Sequence, residues 1–150
     1  TPGCESQFLA RLTWLSGKQG LALPHVGAGT WEKLLATGHL NSLLDWMTLD
    51  ARELANIDGF GERSAMRLAA SFSSARQRPF ARWLNALGLP PTGQAKLADS
   101  WQALAQRNTE QWQAEAGIGP GRAAQFNAFF RDPQVLALSE TLRDIGIDGF

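Results

Sequence analysis

Apolar residues along this chain recur at steps of three and four. Phe8, Leu9, Leu12 and Leu15 set the pattern, and Phe80, Trp83, Leu84 and Leu87 repeat it. Val135, Leu136, Leu138 and Leu142 follow the same spacing near the other end. That is the period of a helix with one buried face. A shorter apolar run, Leu43, Leu44 and Met47, lies between longer ones. The polar residues that punctuate the pattern are helix signals. Asp50-Ala-Arg-Glu53 has the spacing of a capping box, so Asp50 is predicted to open a helix. Pro79 is placed in the first turn of the Phe80–Leu87 helix, which Gly88 stops. Asp132-Pro133 reads as N-cap and first helical residue of a helix that Gly146 ends. No alternating run long enough for a strand occurs. The chain is therefore read as all-α, with roughly ten short helices.

Between the helices one turn recurs with decay. Its clearest form is Ile57-Asp-Gly59-Phe60-Gly61, followed by a helix start with Ala65 and Leu68. Gly117-Ile118-Gly119-Pro-Gly121 keeps both glycines. Pro24-His25-Val26-Gly27 puts His25 at the first glycine position. Pro90-Pro91-Thr92-Gly93 keeps only the second glycine and has Thr92 at the apolar position. Each unit then reads as helix, tight glycine turn, helix, with hairpins near 23–30, 57–64, 89–96 and 115–122. One such pair cannot bury its own apolar face, so the repeats must pack on one another as a compact helical domain covering 1–150. A subdivision near 78 gives two double-hairpin halves. Trp14, Trp31, Trp46, Trp83, Trp101 and Trp112 are spread through the repeats and are read as core.

A Gly-x-Gly turn entering a helix has a physical affinity for phosphate. The first N–H groups of a helix have no intrahelical partner, and the helix dipole makes that end positive. Glycines allow positive φ and remove Cβ atoms, so a phosphate oxygen can approach. Such contacts go to a nucleic-acid backbone and carry no base information. The third turn is the weakest candidate, because Pro90 and Pro91 lack N–H groups. The bland reading of any one turn is a helix cap and tight connection.

Charge sharpens this picture. The 14 basic and 14 acidic residues cancel, which argues against a generic nucleic-acid binder. Yet no Asp or Glu occurs from Arg63 to Ala98, a stretch holding Arg63, Arg67, Arg76, Arg78, Arg82 and Lys96. Arg122 stands beside Gly121 in the fourth turn. Catalytic signals are missing. None of Lys18, Lys33 or Lys96 is followed by x-Asp-Gly, and there is no P-loop or His-Glu-x-x-His. No catalytic residue and no metal site is assigned, and no cofactor is expected for this chain. The single cysteine, Cys4, excludes an internal disulfide and an all-cysteine zinc site. No 18-residue apolar stretch and no signal peptide is present, so a reducing cytoplasm is expected. The first residue is Thr1 rather than Met, which predicts a piece of a longer protein.

The turns Asp58-Gly-Phe-Gly-Glu-Arg-Ser-Ala65 and Ala116-Gly-Ile-Gly-Pro-Gly-Arg-Ala123 resemble helix-hairpin-helix (HhH) motifs. Four such turns occur in order, with Phe80–Gly88 leading the third and Phe129-Phe130-Arg-Asp-Pro133 trailing the fourth. That order resembles the C-terminal tetra-HhH domain of bacterial NAD-dependent DNA ligases over nearly the whole chain. It is most similar to the ligase B type. Gly3-Cys4-Glu5 stands where the usual ligase has the last cysteine of a zinc module, and the chain stops at Phe150 where the usual ligase continues into a BRCT domain.

The resemblance implies a monomeric domain that grips double-stranded DNA around a nick. The full enzyme would use NAD and Mg²⁺, with nucleotidyltransferase and OB domains upstream. It would pass AMP from NAD to a lysine and then to the 5′-phosphate before joining the ends. By position, the implied contacts are Gly27, Gly29, Thr30, Gly59, Gly61, Arg63, Ser64, Gly93, Lys96, Gly119, Gly121 and Arg122. Protonated His25 can itself meet a phosphate. Three other readings compete, of which length and the order of four turns argue against the first and the missing Asp against the second. An HhH module of a nuclease or repair protein uses the same turns. An HhH glycosylase needs an Asp downstream of a hairpin, and none follows Gly61 until Asp99. A helical protein-interaction module would show no salt-dependent DNA affinity.

Overall fold

A computed structural model describes residues 2–150, with side chains from Cys4 onward. Thr1, the side chain of Pro2 and the surroundings of Gly3 lie outside the described residues, as does the part of the Gly3-Cys4-Glu5 comparison that rests on Gly3. Among the described residues there are nine α-helices, two short 3₁₀ turns and no strand. The chain divides into two compact units, Thr1–Arg78 and Pro79–Phe150.

The first unit contains α1 (Pro2–Ser16), α2 (Ala28–Ala36), α3 (Ala51–Ala55) and α4 (Glu62–Ser74). Leu12 and Leu15 of α1, Trp31 and Leu34 of α2, Leu54 of α3 and Ala65, Leu68 and Phe72 of α4 are buried. An aromatic cluster organises this core. Trp31 stacks on Phe72 with centroids 5.6 Å apart, and Trp46 sits 5.1 Å from the same ring. The indole N–H groups of Trp31 and Trp46 are satisfied, as burial favours. Trp31 Nε1 donates to Ser16 Oγ at 2.9 Å, and Trp46 Nε1 donates to the Leu43 carbonyl at 2.6 Å. Asp50 opens α3 with a complete capping box to Glu53, as its spacing predicts.

The second unit contains α5 (Phe80–Ala86), α6 (Trp101–Ala105), α7 (Thr109–Gln113), α8 (Pro120–Phe129) and α9 (Pro133–Ile145). Its core is a second aromatic cluster. Trp112 lies 4.6 Å from Phe126, Trp101 lies 4.8 Å from Phe130, and Phe150 packs on Phe80 at 5.0 Å. Asp132 caps α9 through Gln134 and Val135 N–H, and Gly146 ends it at φ 91°. Pro79 falls one residue outside α5, as its N-cap, rather than in its first turn.

Five of the six tryptophans are buried, but Trp14 is 45% exposed. The reason is phase. Leu12 and Leu15 define the inward stripe of α1, and Trp14 lies between them off that stripe.

Candidate functional site

The two glycines of each turn do different work. Gly59 and Gly117, at the first position, take φ of 95° and 80°, in the left-handed region. His25 holds the same place in the first turn with φ 63°, so the conformation is kept without glycine. Gly27, Gly61 and Gly119, at the second position, are the N-caps of α2, α4 and α8 in extended backbone. Any residue adopts that conformation, so φ does not explain them. What they supply is space. A Cβ built on any of them, or on Gly29 or Gly121, meets nothing within 4 Å.

None of these three helices has a side-chain cap. By contrast, α3, α6, α7 and α9 each have at least one first-turn N–H taken by the cap residue, Asp50, Ser100, Asn108 and Asp132; α5, entered from Pro79 rather than a glycine turn, also lacks a side-chain cap. The helices entered through glycine turns thus leave their N-terminal donors without a side-chain partner, behind a gap where no Cβ stands. An anion fits such an end. All three helices are long enough for an N-terminal field, at 9, 13 and 10 residues.

The third turn departs from this scheme. Gly93 is itself left-handed, at φ 56°, and no helix begins until Trp101. Pro90 and Pro91 cannot donate and hold the chain extended, so the expected helix after Gly93 does not form. The third repeat is therefore not helix, turn, helix. Its backbone is held otherwise, since Ala95 N–H donates to the Thr92 carbonyl at 3.0 Å and Lys96 N–H to Glu115 Oε2 at 3.3 Å. The Lys96 side chain remains exposed.

The side chains around the turns follow the repeat register. Thr30, Ser64 and Arg122 stand three residues past their N-cap glycines, with Ser64 and Arg122 exposed and Thr30 half-buried. Arg63 is exposed beside Ser64. One helical turn further on stand Lys33 and Arg67, which the sequence reading did not place in the site. Lys33 Nζ donates to the Gly59 carbonyl at 3.4 Å and lies 5.3 Å from the Phe60 ring centroid. A cavity of about 180 Å³ is lined by His25, Thr30, Lys33, Gly59, Ser64 and Arg67, so the first and second turns share one basic recess. In the second unit Arg122 reaches the third turn, with Nη1 3.7 Å from the position of a Cβ on Gly93.

No family model matches the chain. Over all 150 residues it is 85% identical to DNA ligase B of Pseudomonas fluorescens (strain Pf0-1), covering 100% of this chain. Over 148 residues, 99% of this chain, it is 47% identical to DNA ligase B of Pseudomonas putida (strain W619). The chain belongs to the DNA ligase B family. It spans 27% and 26% of the length of these two relatives.

Within this ligase B segment the acid-free stretch is not one basic surface. Arg78 is spent on the fold: Nε donates to the Leu21 carbonyl at 2.6 Å and Nη2 to the Ala22 carbonyl at 3.4 Å. Arg76 Nη2 donates to the Met47 carbonyl at 3.3 Å. Arg63 and Arg67 stay exposed on α4. Among the described residues no three His, Cys, Asp or Glu side chains converge as a metal site. No helix among them is long and apolar enough to cross a membrane.

Proposed function

We propose that this chain grips double-stranded DNA through its backbone phosphates, without regard to sequence, as the tetra-HhH domain of a DNA ligase that seals nicks. The observation that carries the reading is the contrast between helix starts. Three are uncapped, open and entered through glycine turns, and basic side chains stand at two of them. The relatives of the chain supply the context, because proteins named DNA ligase B match this segment at 85% and 47% identity. The remainder of such an enzyme, with nucleotidyltransferase and OB domains, NAD and Mg²⁺, would carry the chemistry in the cytoplasm. This segment would hold the duplex around the nick and act as a monomer. Gly27, Gly29, Gly61, Gly119 and Gly121 admit the phosphates, while Thr30, Arg63, Ser64 and Arg122 complete their coordination. Gly59 shapes its turn, and Gly93 and Lys96 form a lesser contact.

Fluorescence anisotropy with two unrelated duplexes tests the proposal. Affinity is expected to match between the two sequences and to fall steeply with salt. The double variant Arg63→Ala, Arg122→Ala should weaken binding by roughly 1–3 kcal/mol in total, as lost charged hydrogen bonds do. A flat salt response, or a tenfold preference for one duplex, overturns the reading. A nicked duplex run alongside an intact one shows whether the segment alone favours the nick.

A further inference from the structure

We propose that Glu115 and Arg107 are positioning residues that clamp the Lys96 segment for phosphate contact. This inference rests on the DNA-binding reading above. Residues 94–98 form no helix or strand, yet both backbone polar groups of Lys96 are engaged. Its N–H donates to Glu115 Oε2 at 3.3 Å, and its carbonyl accepts from Arg107 Nη2 at 3.5 Å. Arg107 Nη2 and Glu115 Oε1 close the triangle at 3.5 Å. The guanidinium lies over the ring of buried Trp112, 4.6 Å from its centroid, which fixes its plane against the core. The side chains of Arg107 and Glu115 are only 18% and 27% exposed, while Lys96 projects into solvent.

Glu115, a carboxylate two residues before Gly117, stands close to a turn read as meeting phosphate. On charge alone it repels DNA, so its removal should tighten binding. If Glu115 instead holds Lys96 in place, its removal should loosen binding despite the lost negative charge. The two accounts predict opposite signs.

The test uses the 150-residue chain, with anisotropy on one duplex across a salt series. Glu115→Ala is expected to weaken binding by about three- to tenfold, the size of one hydrogen bond, and to flatten the salt slope by about one counterion. Glu115→Gln keeps an acceptor for the Lys96 N–H and should recover most of the affinity. In a Lys96→Ala background, Glu115→Ala should no longer weaken binding. Equal or tighter binding by Glu115→Ala overturns the proposal. So does the same weakening in the Lys96→Ala background, which would mark a general loss of fold. Amide hydrogen exchange, read without DNA, separates the clamp from the DNA contact. Faster exchange at Lys96 in Glu115→Ala supports the clamp even if DNA binding itself fails, and unchanged exchange refutes it.

Discussion

At Gly59 and Gly61, two residues apart, the same substitution should fall on different properties, stability at the first and DNA binding at the second. Gly59 sits at φ 95°, and an added Cβ also meets the Lys33 side chain at 3.3 Å. Gly59→Ala is expected to cost about 1–2 kcal/mol of stability, the penalty of a left-handed L residue. Gly61 has φ −85° and open space around its missing Cβ. Gly61→Ala should cost about 1 kcal/mol or less as an N-cap change, but should weaken DNA binding by covering the N–H groups of α4. Chemical denaturation and anisotropy on the two variants check the pair. Comparable stability losses with no binding defect in Gly61→Ala would contradict the assignment.

Asp45, which is bound to Asn41 and Ser42, offers a pH handle. Burial pushes its carboxyl up, but hydrogen bonds from Asn41 N–H, Ser42 Oγ and Ser42 N–H together outweigh this and hold it below the ordinary carboxylate value. A carboxylate depressed in the folded state stabilises above its unfolded pKa, and that contribution disappears as pH falls through the folded value. Stability should therefore decline below about pH 4 partly through this group. Asp45→Asn should be less stable at neutral pH and lose less on acidification, as seen in denaturant midpoints at the two pH values.

Among the elements, the shortest helices are the most informative. α3 and α7 are two of the three five-residue helices, with α6 the third, and all are far too short to persist alone in water. α3 and α7 are each closed by a full capping box, Asp50 with Glu53 and Asn108 with Gln111. Each leads into a turn of the same form, through Gly59 and Gly117, and on into α4 or α8. Asn108→Ala should cost about 1 kcal/mol, with the loss of one cap and exposure of the Gln111 partner. A change below a few tenths would mean that packing of Trp112 alone holds α7. The second and fourth hairpins are thus the well-kept copies. The first keeps the helix and replaces a glycine with His25. The third keeps a glycine and loses the helix.

For the molecule as a whole, two units with separate aromatic cores carry the turns. Because three uncapped helix starts are entered through glycine turns rather than four, the slope of log affinity against log salt should be on the order of −3 to −5. A slope near zero excludes phosphate gripping. The segment by itself should neither take up AMP from NAD nor seal nicks, since no lysine carries x-Asp-Gly. Labelling with NAD followed by electrophoresis tests this, and a labelled 16.3 kDa band would refute it.

Periodicity, glycines and caps are local properties. They sufficed for the all-α class, the capping box at Asp50, the helix bounded by Asp132 and Gly146, and the three turns that enter helices. They also suggested that Gly59 and Gly61 act alike, because sequence shows a glycine but not whether φ or a missing Cβ requires it. The failure after Gly93 is a matter of competition. Helical propensity in residues 94–98 had to contend with two prolines before it and with the hold of Glu115 and Arg107 on Lys96, partners distant along the chain. The use of basic residues was likewise decided in three dimensions. Arg78 serves backbone carbonyls of Leu21 and Ala22, while Lys33, unremarkable in sequence, reaches Gly59 across the fold. Which charges face solvent and which brace the core depends on contacts between segments far apart in sequence, and no local pattern encodes those.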